Sequence, residues 1–198
     1  MAKKVELKEK FHLEPFRKET CIAIDPSTGK TGNLGYAIFQ KGNLIEAGEI
    51  ECDYKNEPDF MRLRDIARIL HEEFTDMYGL LVVEYMPSVK VKGNLASMPY
   101  VIQSAIDTKN YAEISSVTWQ FMARDLMDWD KNKHKSDELD AVLIGLCSYL
   151  IMEGYPSSQK IRTKAGRKKA DELIKKLGKK HNWWTIEEIK NKWADTKD

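Results

Sequence analysis

The chain has 198 residues, 32 of them Lys or Arg and 31 Asp or Glu, for a net charge of +1. A hydrophobic content of 42% is too high for a disordered chain and enough to fill one core. No run approaches the ~18 consecutive apolar residues of a membrane span, the start Met1-Ala2-Lys3-Lys4-Val5-Glu6 has no apolar signal stretch, and three scattered cysteines (Cys21, Cys52, Cys147) argue against a disulfide framework or a CxxC metal site. The expectation is therefore one cytoplasmic domain of ordinary size with a small appendage.

Residues 1–19 read as a polar arm. Thr20 to Asp25 reads as a buried strand that ends on a carboxylate, and Pro26 to Asn33 is turn chemistry. Leu34 to Gln40 alternates as a second strand. Lys41-Gly42-Asn43 makes a hairpin turn, and Leu44 to Cys52 is a third strand. Pro58 opens a helical pattern with Met61, Ile66, Ile69, Leu70, Phe74 and Met77 on one face, closed by Gly79. Leu80-Leu81-Val82-Val83 is a short buried strand, again ending on a carboxylate, Glu84. Residues 94–107 read as a helix with Pro99 in its first turn or at a kink. Ala112 to Ser116 is a strand, and Val117 to Met127 a helix. Asp137 to Met152 is a strong helix, ended by Tyr155-Pro156. The tail reads as two helices, Lys164 to Leu177 and one starting at Thr185, where Thr185 to Glu188 fits a capping box. This order predicts an α/β fold: a mixed five-stranded sheet, three antiparallel strands and then parallel ones, flanked by helices.

The near-zero charge is a cancellation. Residues 1–18 carry +3, residues 19–155 carry −9 and residues 156–198 carry +7. The expected organisation is a basic arm over 1–19, a central domain over 20–155 and a basic helical extension over 156–198. Basic ends of this kind contact phosphate backbones or simply keep a chain soluble.

The carboxylates carry the chemical signal. Asp25 and Glu84 each close a strand, and neighbouring strands bring such ends to one edge of a sheet. Asp137 and Asp140, at i and i+3, share one face at the start of a helix. Taken singly, Asp25 reads equally as a turn cap, and Asp137 as an acid favoured by the helix dipole after an N-cap Ser136. Glu84 and Asp140 are harder to explain that way, because both sit against apolar sequence where an unpaired charge is costly. Four converging carboxylates repel one another unless a cation intervenes. All-oxygen ligands suit Mg²⁺ or Mn²⁺, and two such ions can activate water and stabilise the leaving oxygen of a phosphodiester. Gly29-Lys30-Thr31 is not a P-loop, since position 24, where the first glycine belongs, is Ile. An actin-like ATPase or sugar kinase would need a second lobe that 198 residues do not hold.

With these residues in place the chain resembles the RuvC family of Holliday junction resolvases, within the ribonuclease H-like superfamily. The matching segments are Ile22 to Ser27 with Thr31-Gly32 and Gly35-Tyr36, then Val82-Val83-Glu84, then Lys135 to Ala141, together covering about residues 20–153. The resemblance implies a ribonuclease H-like fold and two Mg²⁺ ions, replaceable by Mn²⁺, held by Asp25, Glu84, Asp137 and Asp140, with Asp25 between them. It implies a homodimer formed through the helix at 94–107, acting on four-way DNA and leaving 5′-phosphate and 3′-hydroxyl ends. Two departures mark a divergent, phage-encoded type acting in the host cytoplasm. The residues after Glu84 are Tyr85-Met86-Pro87-Ser88, so a junction wedge falls to Tyr85 or Met86. The segment before the last motif is short, leaving Arg124, Lys133 or Lys135 as the cation near the scissile phosphate.

Further DNA contacts are expected from Lys90 and Lys92, in a loop after the fourth strand, and from the tail residues Arg162, Lys164, Arg167, Lys168 and Lys169. Trp183 and Trp184 read as packing the tail onto the core rather than stacking on bases. The expected activity is that of a metal-dependent junction endonuclease. The alternatives are another ribonuclease H-like nuclease, of terminase type or acting on RNA–DNA hybrids, and a junction-binding protein without chemistry.

Overall fold

In a computed structural model of the chain, residues 13–26, 33–51, 58–85, 97–127, 136–157 and 159–181 are described. The elements run α1 (Leu13–Lys18), β1 (Thr20–Asp25), β2 (Leu34–Gln40), β3 (Asn43–Ile50), α2 (Asp59–Glu73), β4 (Leu80–Tyr85), α3 (Met98–Ala105), β5 (Tyr111–Ser115), α4 (Ser116–Met127), α5 (Asp137–Met152) and α6 (Lys164–Lys180). The strands form one sheet in the order β3-β2-β1-β4-β5. The pairs β1–β2 and β2–β3 are antiparallel, while β1–β4 and β4–β5 are parallel. That is the ribonuclease H-like arrangement expected from the sequence.

Local chemistry explains the meander. Lys41 and Gly42 both have positive φ, 51° and 82°, which matches a two-residue hairpin turn to the twist of its strands. β1 and β4 are buried on both faces because helices cover both. Alternation then sorts their side chains. Cys21 and Ala23 of β1, with Leu80 and Val82 of β4, face a core shared with α4 and α5. Ile22, Ile24, Leu81 and Val83 face the opposite core, shared with α2 and α3.

α5 is the central helix. Its apolar residues are buried nearly all round, so it reads as a core helix rather than a one-sided surface helix. Gly145 lets it settle on the sheet, since a Cβ there would stand 2.2 Å from the Phe39 ring. Cys21 and Cys147 are both buried, and burial pushes the Cys21 thiol up to about 12, so neither is poised to react.

Two sequence expectations need correction. The end of the supposed arm is helical: Phe16 inserts into the α5 core and stacks on Tyr149 at 4.6 Å, while Arg17 Nε donates to Glu153 at 2.8 Å. α2 stops at Glu73 rather than running to Gly79, so Met77 is exposed while Leu63, Ile66, Leu70 and Phe74 carry the packing. The basic extension is helical, as expected. Ala170 and Leu177 of α6 bury into the α5 core, and the His181 ring receives or gives a 2.8 Å hydrogen bond at Tyr149 Oη. The second tail helix and Trp183 and Trp184 lie outside the described residues. Pro99 does sit in the first turn of α3.

Truncating Phe16→Ala should destabilise the fold by about 3–5 kcal/mol, the range for removing a buried aromatic. Urea denaturation checks this, and a loss below 1 kcal/mol would mean that α1 is not docked.

Candidate functional site

Asp25 follows Cys21 and Ala23 on one side of β1, and Glu84 follows Leu80 and Val82 on the same side of β4. β1 and β4 pair in parallel with Ala23 opposite Val82 and Ile24 opposite Val83, so Asp25 and Glu84 are the next neighbours in register. Both point to the face that α5 covers. They are 5% exposed each, and Asp140 of α5 is 7% exposed. Asp137 is half-buried.

The first turn of α5 is fixed from two sides. Ser136 is its N-cap, as expected, and accepts from the Leu139 N–H at 3.2 Å. Glu49 of β3 accepts from both the Ser136 hydroxyl and the Glu138 N–H, each at 3.2 Å. Gly35, opposite Asp25 in the sheet, makes the close approach possible, because a Cβ there would stand 1.8 Å from the Asp137 carbonyl oxygen. Sequence reading had Gly35 in a motif but missed this reason for it, and it missed Glu49 altogether.

Asp25 feels the charge of the other three acids. The Asp25 carboxyl is held well above the usual range, first by burial and then by the charges of Glu84, Asp140 and Asp137, and it is hydrogen-bonded to Glu84. Among the described residues, no group of three or more His, Cys, Asp and Glu side chains stands close enough to hold a metal ion. The acids thus act on Asp25 by charge without closing around a single point. The donor chemistry, all carboxylate oxygen, is of the kind that suits a hard divalent cation such as Mg²⁺ or Mn²⁺, while the side chains as they stand are not drawn in around one.

A further residue joins the site unforeseen. Trp119, fully buried on α4, donates its indole N–H to Glu84 Oε1 at 2.9 Å. The bond spans 35 positions and leaves no periodic trace in the sequence. It fixes one oxygen of Glu84, as outer partners fix ligands around metals.

The expected DNA contacts divide. Tyr85 ends β4, partly exposed, on the strand face opposite Glu84. Arg124 is exposed in the last turn of α4, about 12 Å along the helix from its first residue. Arg162, Lys164, Arg167, Lys168 and Lys169 are exposed at the start of α6. Two of them are engaged, Arg167 with Asp125 at 3.3 Å and Lys168 with Glu172 at 3.9 Å. Met86, Lys90, Lys92, Lys133 and Lys135 lie outside the described residues. α6 ends with His181 against Gly42. That turn follows Gln40, the partner of Thr20, so it lies at the other end of β1 from Asp25, roughly 17 Å away.

No protein-family model matches the chain, and no curated protein matches its sequence. Solved structures similar to it include two of RuvC. T. thermophilus RuvC in complex with a Holliday junction substrate aligns at 16% identity, covering 68% of this chain and 96% of its own, with a TM-score of 0.44. A Thermus thermophilus RuvC structure aligns at 16% identity over the same shares, with a TM-score of 0.42. It is the strand order, not these superpositions, that identifies the fold.

A raised carboxyl destabilises the fold at pH values where it must ionise. Its favourable contribution is complete below the unfolded value near 4 and is lost as pH rises through the raised folded value. In chelator, Asp25→Asn should therefore melt higher than the parent chain at pH 8 and equally at pH 4, by about 2–4 °C per kcal/mol relieved. A lower melting temperature at pH 8 would contradict the buried-acid cluster. Trp119→Phe keeps the packing and removes the donor, so Mn²⁺ affinity measured by calorimetry should fall by about tenfold. Unchanged affinity would remove Trp119 from the site.

Proposed function

We propose that the chain is a divalent-metal-dependent endonuclease that resolves four-way DNA junctions. The observation that supports this reading is the placement of Asp25 and Glu84 side by side at the ends of β1 and β4, within electrostatic reach of Asp137 and Asp140 in the first turn of α5. Asp25, Glu84, Asp137 and Asp140 would hold Mg²⁺ or Mn²⁺. When bound, two such ions supply charge stabilisation for in-line attack of water on phosphorus. The chain's own part is positional. Trp119 orients Glu84, while Ser136 and Glu49 fix the helix that carries Asp137 and Asp140. The surrounding apolar core keeps bulk water from three of the four acids, which strengthens every charge interaction there.

The exposed cations at the start of α6, with Arg124 and Tyr85, would hold the branched DNA. Residues 20–155 would form the nuclease domain and 156–198 an extension packed on it. A homodimer through α3 would set two sites against opposing strands, and Tyr100 stands exposed on that helix. Among the described residues, no helix is long and apolar enough to cross a membrane.

The test is Mg²⁺-dependent cleavage of a mobile synthetic junction, compared with linear duplex and RNA–DNA hybrid. The junction should be cut preferentially, leaving 5′-phosphate and 3′-hydroxyl ends, and Asp25→Asn should slow cleavage by about 1,000-fold or more while sparing binding. Preferred cutting of hybrid or duplex would instead favour another nuclease of this fold. Tight junction binding without cleavage in either metal would leave a binding protein.

A further inference from the structure

A groove of about 940 Å³ lies between α4, the end of α5 and the start of α6. Its apolar lining includes Val117 and Phe121 of α4 and Tyr155 just beyond α5, and its basic lining is Lys160, Arg162 and Lys169. Val117 is 64% exposed, an apolar side chain left open on the groove. The three cations are exposed, and none forms an ion pair with a described acid, unlike Arg167 and Lys168 beside them. Their backbone is nevertheless fixed. The Thr163 hydroxyl donates to the Lys160 carbonyl at 2.7 Å and accepts from the Gly166 N–H at 3.0 Å. Gly166 lies so close that a Cβ there would stand 1.9 Å from the Lys160 carbonyl oxygen.

Unpaired cations beside an open apolar wall suit a ligand that carries both anionic groups and flat apolar faces. Duplex DNA offers its phosphates but keeps its bases stacked inside, whereas an unpaired strand offers both. The groove also lies near the acids. Val117 and Phe121 flank Trp119 in the chain, and Trp119 leaves the helix on another side to reach Glu84. The first turn of α4 follows Ser115, the partner of Tyr85, so it stands at the carboxylate end of the sheet. We propose that this groove binds an unpaired nucleic-acid strand, its phosphates on Lys160, Arg162 and Lys169 and its bases against Val117 and Phe121. The proposal rests on the nuclease reading and deepens it: the preferred substrate has an unpaired segment leading away from the cleaved bond, one helix thickness from Glu84.

The test uses the full chain in Ca²⁺, with fluorescence anisotropy on oligothymidylate, a linear duplex and a four-way junction across a salt series. Cleavage in Mg²⁺ is followed in parallel. The triple variant Lys160→Gln/Arg162→Gln/Lys169→Gln should bind oligothymidylate about tenfold or more weakly, and its log–log salt slope should shrink by about 2 for three lost strand contacts. Val117→Asp, at an exposed position that does not threaten the core, should weaken oligothymidylate binding and leave duplex binding unchanged. Junction cleavage at saturating enzyme should persist in Val117→Asp, which touches neither the acids nor the cations proposed to hold the branched DNA. Oligothymidylate affinity and salt slope unchanged in the triple variant, with cleavage intact, would overturn the groove and leave the nuclease reading standing. A parent chain that neither binds nor cuts nucleic acid would overturn both. Variants that lose binding to polyglutamate while keeping oligothymidylate binding would assign the groove to an acidic peptide instead, which also overturns the proposal.

Discussion

The first turn of α5 lies so close to β2 that a methyl group on Gly35 would press on the Asp137 carbonyl. The arrangement of the acids depends on that contact. It brings Asp137 and Asp140 over the strand ends that carry Asp25 and Glu84. The second close contact, at Gly145 against Phe39, holds the far half of the same helix on the same strand. Two glycine positions, one on the strand and one on the helix, thus set the spacing between helix and sheet along its length. Glu49 adds direction, since its carboxylate accepts from both the capping hydroxyl and the Glu138 N–H of the first turn. The geometry is digital as well as close. Side chains alternate along a strand, so a one-residue slip of β4 against β1 would turn Glu84 away from α5 and expose Leu81 and Val83 to the wrong core.

The site works against the fold that carries it. Three acids are buried at the edge of an apolar core, and the Asp25 proton is held by burial and by neighbouring charge. Such a cluster does not form for stability's sake. It persists because two cores, one on each face of the sheet, clamp the strands that end in it. Most of that clamping lies below the acids, in Phe39, Trp119, Tyr149, Ile66 and Leu70. A cation held by the acids would then act as both cofactor and structural counter-charge.

Much of this was legible in the sequence, for identifiable reasons. The strands were readable because alternation and turn residues bracket them, and β1, β2 and α5 have the predicted bounds. The Asp25, Glu84 and Asp137/Asp140 set was readable because each acid interrupts or borders an apolar run. α1 was not readable: Phe16 is one aromatic among charged residues, and six residues give no periodicity. The exposure of Met77 was missed because helical spacing continues in the sequence past Glu73, where the helix itself stops. Trp119 and Glu49 act across 35 and 89 positions, respectively, and local patterning is blind to such distances. The basic stretch was visible as charge, but only packing separates the cations engaged by Asp125 and Glu172 from those left open on the groove.

Tyr149 is the meeting point of the two ends of the described chain. Phe16 stacks on its ring, and His181 meets its hydroxyl. The chain therefore arrives and departs at one pole of the sheet, the pole opposite the carboxylates. α1 and the end of α6 are thus remote in sequence and adjacent in space. A change at Phe16 and a change at His181 would therefore disturb the same ring, at the far end of α5 from the acids.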